Sequence, residues 1–284
     1  MKLFFLLNPS RVKNRWDWRE VAARQAKRYG WTARFGEVDR SKPHSTEYLL
    51  EQAAEEGCSR IAVIGGDGSL HRVVNLLSER QRLASTELAL IPAGTCNDFA
   101  RFLGLRRQKV EQAFRLACAG KAQAMDLGLM DNRLFLNNAG FGRRPETQKK
   151  RWKSLQALRT FRPTFLRARW DKGSVEGEFY MVLVCNAPYF SGGLHFSKNV
   201  SVTDGLLDIY LMPAIPKWRI LPLLALGRLG RPARFKRLMT LRVPRLDVEA
   251  ESDLWPQADG EPPLRAARHT SFAVSTEKAM IVSL

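Results

Sequence analysis

Two short stretches carry residue types suited to holding phosphate. The first is Gly65-Gly66-Asp67-Gly68-Ser69, set directly after the apolar run Ile61-Ala62-Val63-Ile64 and before the helix-like spacing of Val73, Val74, Leu76 and Leu77. Glycines let backbone N–H groups approach an anion, and a helix N-terminus adds a favourable dipole. The same residues also suit a tight strand-to-helix turn that touches no ligand, and alone they do not choose between the two. The second stretch, Pro92-Ala93-Gly94-Thr95-Cys96-Asn97-Asp98, follows an apolar run at 88–91 and offers a glycine, a hydroxyl, an amide and a carboxylate ahead of another helix. Thr95 or Asn97 could serve simply as that helix's cap. Two such turns, each at the carboxyl end of a buried strand, favour an anion site more than either does alone.

The elements that must hold these turns alternate through the first half of the chain. Strand patterns at 3–7, 32–38, 61–64 and 88–91 are separated by helix patterns at 16–29, 46–56 and 70–82, and further helices follow near Phe99 and at 108–119. Alternation of this kind predicts βαβ units and a parallel sheet with helices on both faces. After Lys121 the character changes to strand-like segments at 125–130, 133–138, 178–187, 205–212, 240–250 and 271–283. A basic, helix-like insertion at 143–170 and a second basic segment at 216–238 interrupt them. The reading is an α/β domain over 1–124 and a β-rich domain over 125–284, with the last strand free to return to the first domain. The apolar start, Met1 to Leu7, stops at Asn8-Pro9 with no small-residue cleavage site, so it reads as a first strand and not a signal peptide. No apolar run reaches the ~20 residues that a spanning helix needs.

Charge narrows the partners. The 284 residues hold 46 basic against 28 acidic side chains, a formal +18, which favours polyanions: nucleic acid, an anionic membrane surface or phosphorylated ligands. At 45% hydrophobic the chain has the composition of a globular protein, not a disordered one. Cys58, Cys96, Cys118 and Cys185 form no Cys-x-x-Cys pair, which argues against a zinc site or a disulfide framework and leaves them as free thiols, by default buried.

The two glycine turns together resemble the diacylglycerol kinase catalytic-domain family, which includes bacterial lipid kinases and the sphingosine and ceramide kinases. The resemblance continues in order through Asn8-Pro9-Ser10, Phe135-Leu136-Asn137-Asn138-Ala139-Gly140-Phe141-Gly142, Asp204-Gly205-Leu206-Leu207-Asp208 and Asp259-Gly260-Glu261-Pro262. It implies a nucleotide-binding α/β domain like that of NAD kinases and phosphofructokinases, followed by a β-sandwich-like, lipid-substrate domain. It also implies ATP as co-substrate. Gly65, Gly66, Asp67, Gly68, Ser69, Leu70 and His71 would wrap the phosphates, with Gly94, Thr95 and Asn97 in the second turn and Asn8 lining the cleft. Asp67 would engage the nucleotide through Mg²⁺, because a carboxylate facing phosphate needs a cation between them. Asp259 or Glu261, with Glu261 preferred, would be the base that takes the proton of a lipid hydroxyl. Read on its own, that segment is an exposed acidic turn. Asp204 resembles the position where bacterial members hold a structural Mg²⁺ with the carbonyls of Ser201 and Leu206, and is equally an Asp-Gly turn before a strand.

The chain departs from the family pattern at four places. Ser69 replaces Thr and keeps the hydroxyl. Leu70-His71-Arg72 replaces x-Asn-Glu and brings positive charge to the phosphate turn. Asp39 stands where a Thr is common, and Asn8-Pro9-Ser10-Arg11 lacks the usual Gly. Arg and Lys interleaved with Trp152, Phe161, Phe165 and Trp170, and again around 220–226, suit docking on an anionic bilayer, and also suit a solvated basic face. No nucleic-acid-binding signature accompanies them, so nucleic acid is not the expected partner. The expectation is an ATP- and Mg²⁺-dependent kinase of diacylglycerol or a related lipid alcohol, cytoplasmic and peripheral at the inner face of the membrane. The alternatives are a catalytically impaired member that binds lipid or nucleotide, and a soluble kinase of a non-lipid alcohol such as NAD.

Overall fold

A computed structural model describes residues 1–9, 15–39, 41–105, 110–141, 162–197, 199–216, 238–261 and 266–283. The chain divides into two compact units, Met1–Met125 with Thr276–Leu284, and Asp126–Ser275.

In the first unit the strands are β1 (Lys2–Leu7), β2 (Thr32–Glu37), β3 (Arg60–Gly65) and β4 (Glu87–Pro92), joined by the end of the last strand, β14 (Ala267–Ser283). Their order is β2-β1-β3-β4-β14, and every pairing is parallel. Leu3 to Leu7 and Ile61 to Ile64 are all buried, as continuous apolar strands covered on both faces must be. The helices are α1 (Arg15–Arg28), α2 (Ser45–Glu55), α3 (Asp67–Glu79), α4 (Asp98–Phe102) and α5 (Val110–Ala119). α3 buries Leu70, Val73, Val74, Leu76 and Leu77, the stripe that the apolar spacing predicts. It begins at Asp67 and not at 70, so the glycine turn is itself the first turn of the helix. Arg60 is buried yet satisfied: it donates to Glu87 at 2.7 Å and to the Ala117 carbonyl at 2.8 Å, and stacks on Trp31 at 4.7 Å.

The chain leaves β1 towards β2, then passes to the other side of β1 to form β3. Neighbouring strands that send their connections in opposite directions open a crevice beyond their carboxyl ends, where such sheets bind ligands. Asn8 and Gly65 stand at those two ends.

The second unit is built from antiparallel pairs. It contains β5 (Lys121–Met130, shared with the first unit), β6 (Arg133–Phe135), β7 (Asn138–Phe141), β8 (Thr164–Trp170), β9 (Gly173–Cys185), β10 (Leu207–Pro213), β11 (Met239–Val243), β12 (Arg245–Leu254), β13 (Gln257–Ala258) and the first part of β14. The main run is β11-β10-β9-β8-β12-β14, with β7 between β9 and β13. Phe135, Val184, Ile209, Leu211, Leu246, Val248 and Phe272 form its core. One expectation is corrected here. Residues 164–170, taken as part of a basic helical insertion, are strand β8, with Leu166 and Ala168 alternating inward. Arg167 pairs with Glu176 and Arg169 with Glu249, so neither charge is unmatched. Residues 143–161 of that insertion and 217–237 of the second basic segment lie outside the described residues.

Candidate functional site

The two glycine turns meet backbone to backbone. The N–H groups of Ala93 and Gly94 donate to the Gly65 carbonyl at 2.7 and 3.2 Å. A Cβ on Gly94 would stand 2.5 Å from Gly66 Cα, and one on Gly66 would stand 2.9 Å from Gly94 Cα. Backbone cannot yield as a flexible side chain can, so both positions require glycine for close approach and not for φ. Asn97, with φ of 52°, folds back on its own turn, accepting from the Gly94 N–H at 2.9 Å and donating to the Gly94 carbonyl at 2.9 Å. Its amide therefore shapes the second turn. Thr95 and Cys96 beside it are exposed, so Cys96 departs from the buried default that holds for Cys58, Cys118 and Cys185.

Asp67 joins the turns. Its carboxylate accepts from the N–H groups of Asp98 and Phe99, each at 3.0 Å, and so caps α4 across 31 and 32 residues of chain. Asn8 completes the floor: its N–H donates to the Ile64 carbonyl at 3.0 Å, and its amide donates to the Ser69 hydroxyl at 3.0 Å. Ser69 and Leu70 bond through their N–H groups to the Gly66 carbonyl, so Leu70, whose side chain is buried, contributes to α3 packing.

The departures at 71 and 72 have separate structural explanations. His71 is 2% exposed and lies in the α3 core stripe, with Asn75 donating to its carbonyl at 2.9 Å. Arg72 reaches α2: it donates to the Pro43 carbonyl at 3.0 Å and stands 3.5 Å from Glu47. Its charge already has an acidic neighbour. Asp39 accepts from the Ser41 N–H and hydroxyl, and those hydrogen bonds hold its carboxyl below the usual carboxylate range.

In the second unit the acidic turn separates into two roles. Asp259, with φ of 51°, accepts three backbone N–H groups: Leu136 at 2.8 Å, Asn137 at 2.8 Å and Asn138 at 3.1 Å. It pins the turn to the link between β6 and β7. Glu261 is half-buried two residues further on, fixed through its own N–H to the Ala258 carbonyl at 2.9 Å. A polar knot that the sequence did not reveal supports them. Asn186 donates to the carbonyls of Asp126 and Leu136, both at 2.9 Å, while Asn186 and Ala187 donate to the Asn137 carbonyl at 2.8 and 3.0 Å. The only sequence cue was a polar residue, Asn186, directly after the apolar end of β9.

Comparison with known proteins follows the same division. Residues 2–130 match the model of the diacylglycerol kinase catalytic domain, and residues 137–273 that of the YegS C-terminal NAD kinase beta sandwich-like domain. A "Probable lipid kinase YegS-like" protein of Pseudomonas aeruginosa is 34% identical over 244 residues, covering 80% of this chain and 77% of the relative. The chain belongs to the diacylglycerol kinase catalytic-domain family. It is thereby a phosphotransferase of the kinase type. A diacylglycerol kinase of Bacillus subtilis is 26% identical over 228 residues, 75% of each chain. The crystal structure of a diacylglycerol kinase from Bacillus anthracis has the same fold, with a TM-score of 0.77 at 20% identity over 100% of this chain and 97% of that one.

At the expected structural Mg²⁺ position, both Asp204 carboxylate oxygens are engaged by the chain itself. Asp204 accepts from the Leu206 N–H at 3.1 Å with one oxygen and pairs with Arg242 through the other. Among the described residues no group of three or more His, Cys, Asp or Glu side chains could hold a metal.

Proposed function

We propose that this chain transfers the γ-phosphoryl group of ATP, with Mg²⁺, to a hydroxyl of diacylglycerol or a related lipid alcohol. The observation that carries the reading is the pair of glycine turns locked together at the carboxyl ends of β3 and β4, with Asp67 bound across them. The α3 N-terminus, which begins at Asp67, lies beside Asn8 and Ser69, and a helix N-terminus suits phosphate. Gly65 to Ser69 and Gly94 to Thr95 would hold the phosphates, while Asn97 and Leu70 act by shaping the two turns. Asp67 is the residue suited to hold Mg²⁺, which when bound offsets phosphate charge.

Glu261 is the better base. Asp259 already has three amides on its two oxygens, whereas Glu261 is not required to fix the turn. In the reaction the Glu261 carboxylate takes the alcohol proton and the alcohol oxygen forms a bond to the γ-phosphorus. The bond from that phosphorus to the bridging oxygen breaks, and ADP leaves with the electron pair. The excess of basic residues favours docking on an anionic membrane surface as a peripheral protein at the inner face. No helix among the described residues is long and apolar enough to cross a membrane.

Phosphorylation of a panel of lipid alcohols by labelled ATP on mixed anionic vesicles tests the reading. Lipid-dependent label transfer is expected. Intact nucleotide binding without transfer to any lipid would overturn it in favour of an impaired member, and transfer to NAD without vesicles would redirect it to a soluble acceptor.

A further inference from the structure

We infer that the guanidinium of Arg242 is the built-in cation of the Asp204 turn, and that this turn folds without a divalent metal. The place of Arg242 is set by strand pairing: on β11 it stands directly opposite Asp208 on β10 in the antiparallel register. From there its Nη2 pairs with the outer oxygen of Asp204, and its Nε lies 3.5 Å from Asp208 Oδ1. One side chain thus bridges two carboxylates that lie four residues apart in sequence. A guanidinium suits this task because its donors form a planar fork and its charge is permanent.

Two backbone donors of the turn are met by the chain as well. The Leu206 N–H donates to Asp204 Oδ1 at 3.1 Å. The Gly205 N–H donates to Asp126 Oδ2 at 2.8 Å, tying the turn to a buried acid on β5. Gly205 has φ of 69°, the left-handed conformation that lets the turn close over Asp126. A magnesium ion asks for near-octahedral oxygen ligands at about 2.1 Å. Here it would have to share a single carboxylate oxygen with a cation already hydrogen-bonded to it, against like charge. The tethered guanidinium also acts at high effective concentration, whereas a free ion must be bound from solution.

The test uses the full-length protein without nucleotide. Thermal midpoints are measured in EDTA and in excess Mg²⁺ at matched ionic strength, for wild type, Asp204→Asn, Arg242→Gln and Arg242→Lys. Wild type should show no Mg²⁺-dependent shift that Asp204→Asn removes. Arg242→Gln should melt lower than wild type in EDTA by roughly 2–4 °C for each kcal/mol lost, and Arg242→Lys should recover part of that. A Mg²⁺-induced rise in wild type that vanishes in Asp204→Asn overturns the inference, and so does an Arg242→Gln midpoint equal to wild type in EDTA. The Arg242→Lys variant and the wild-type arm decide the matter even if Arg242→Gln fails to fold. No step requires phosphoryl transfer, so the result stands apart from the proposed activity.

Discussion

Replacing Asp259 and Glu261 one at a time should split stability from chemistry. Asp259→Asn keeps the shape and tolerates the left-handed φ of 51°, because Asn adopts that conformation readily. It removes the charge and turns one acceptor oxygen into an NH₂ donor facing backbone amides at 2.8–3.1 Å. At least one charge-assisted bond, worth about 1.5–3 kcal/mol, is lost, and one amide is left facing a donor. With partial burial the cost should be about 2–4 kcal/mol, or roughly 4–16 °C in the midpoint of thermal unfolding. Glu261→Gln removes no anchor of the turn, so its stability should stay within about 0.5 kcal/mol of wild type. Its kcat should fall by roughly 10²–10⁴, the contribution of a positioned base. Calorimetry and a pH profile of kcat/KM on lipid vesicles read both effects: the acidic limb should persist in Asp259→Asn and disappear in Glu261→Gln. Near-normal turnover in Glu261→Gln, together with a stable but inactive Asp259→Asn, would refute the assignment.

The other predictions concern the turns and their neighbours. Gly94→Ala places a methyl 2.5 Å from Gly66 Cα and 2.7 Å from Asn97 Oδ1, so it should cost about 1–3 kcal/mol and weaken the midpoint rise that ATP gives in thermal shift. Asp67→Ala should lower the midpoint without nucleotide by the loss of its α4 cap, about 1–2 kcal/mol, besides abolishing turnover; an unchanged melting curve would mean that the cap is dispensable. Burial first, then Asp204, pushes the Asp208 carboxyl above its ordinary value of 3.8 despite Arg242, so its contribution to stability is complete below 3.8 and lost as pH rises through the folded value. Asp247, held low first by its hydrogen bond from Arg245, has the opposite sign, contributing above 3.8 and failing as pH falls through its folded value. Asp208→Asn and Asp247→Asn should therefore flatten opposite slopes of a stability–pH curve from urea melts. Arg72→Glu should destabilise by about 0.5–1 kcal/mol through repulsion from Glu47, and adding Glu47→Arg should restore most of it in a double-mutant cycle.

What was legible in the sequence was local. The glycine turns, the buried strands before them and the α3 stripe depend on residues within one or two turns of chain, so types and spacing suffice. Strand β8 is hidden in the sequence because its arginines mask an alternating pattern: Leu166 and Ala168 point inward while Arg167 and Arg169 pair outward with acids on neighbouring strands. α3 begins three residues before its apolar pattern suggests, because Gly68 has poor helix propensity and tertiary packing overrides it. The bonds from Asp259 to Leu136, Asn137 and Asn138 cross 121 to 123 residues, and the contact of Arg72 with Pro43 crosses 29. No periodicity reports such pairings. The bonding of Asn186 within the polar knot was equally invisible, because an Asn after a strand also reads as an ordinary turn residue.

The aspartates marked out for chemistry all do structural work first. Asp67 accepts the amides of Asp98 and Phe99, Asp204 that of Leu206, and Asp259 those of Leu136 to Asn138. A short carboxylate is well suited to this, because it reaches nearby backbone N–H groups while losing little side-chain freedom. Their electrostatic states then diverge. Backbone amides are dipoles and leave the formal charge of a carboxylate in place, whereas Asp204 has a guanidinium against it, that of Arg242, which it shares with Asp208. A site for a hydrated cation needs negative charge that the chain has not already neutralised. At Asp204 such an ion would compete with the guanidinium, although Asp67 and Asp204 both sit in Asp-Gly turns that the sequence makes look alike.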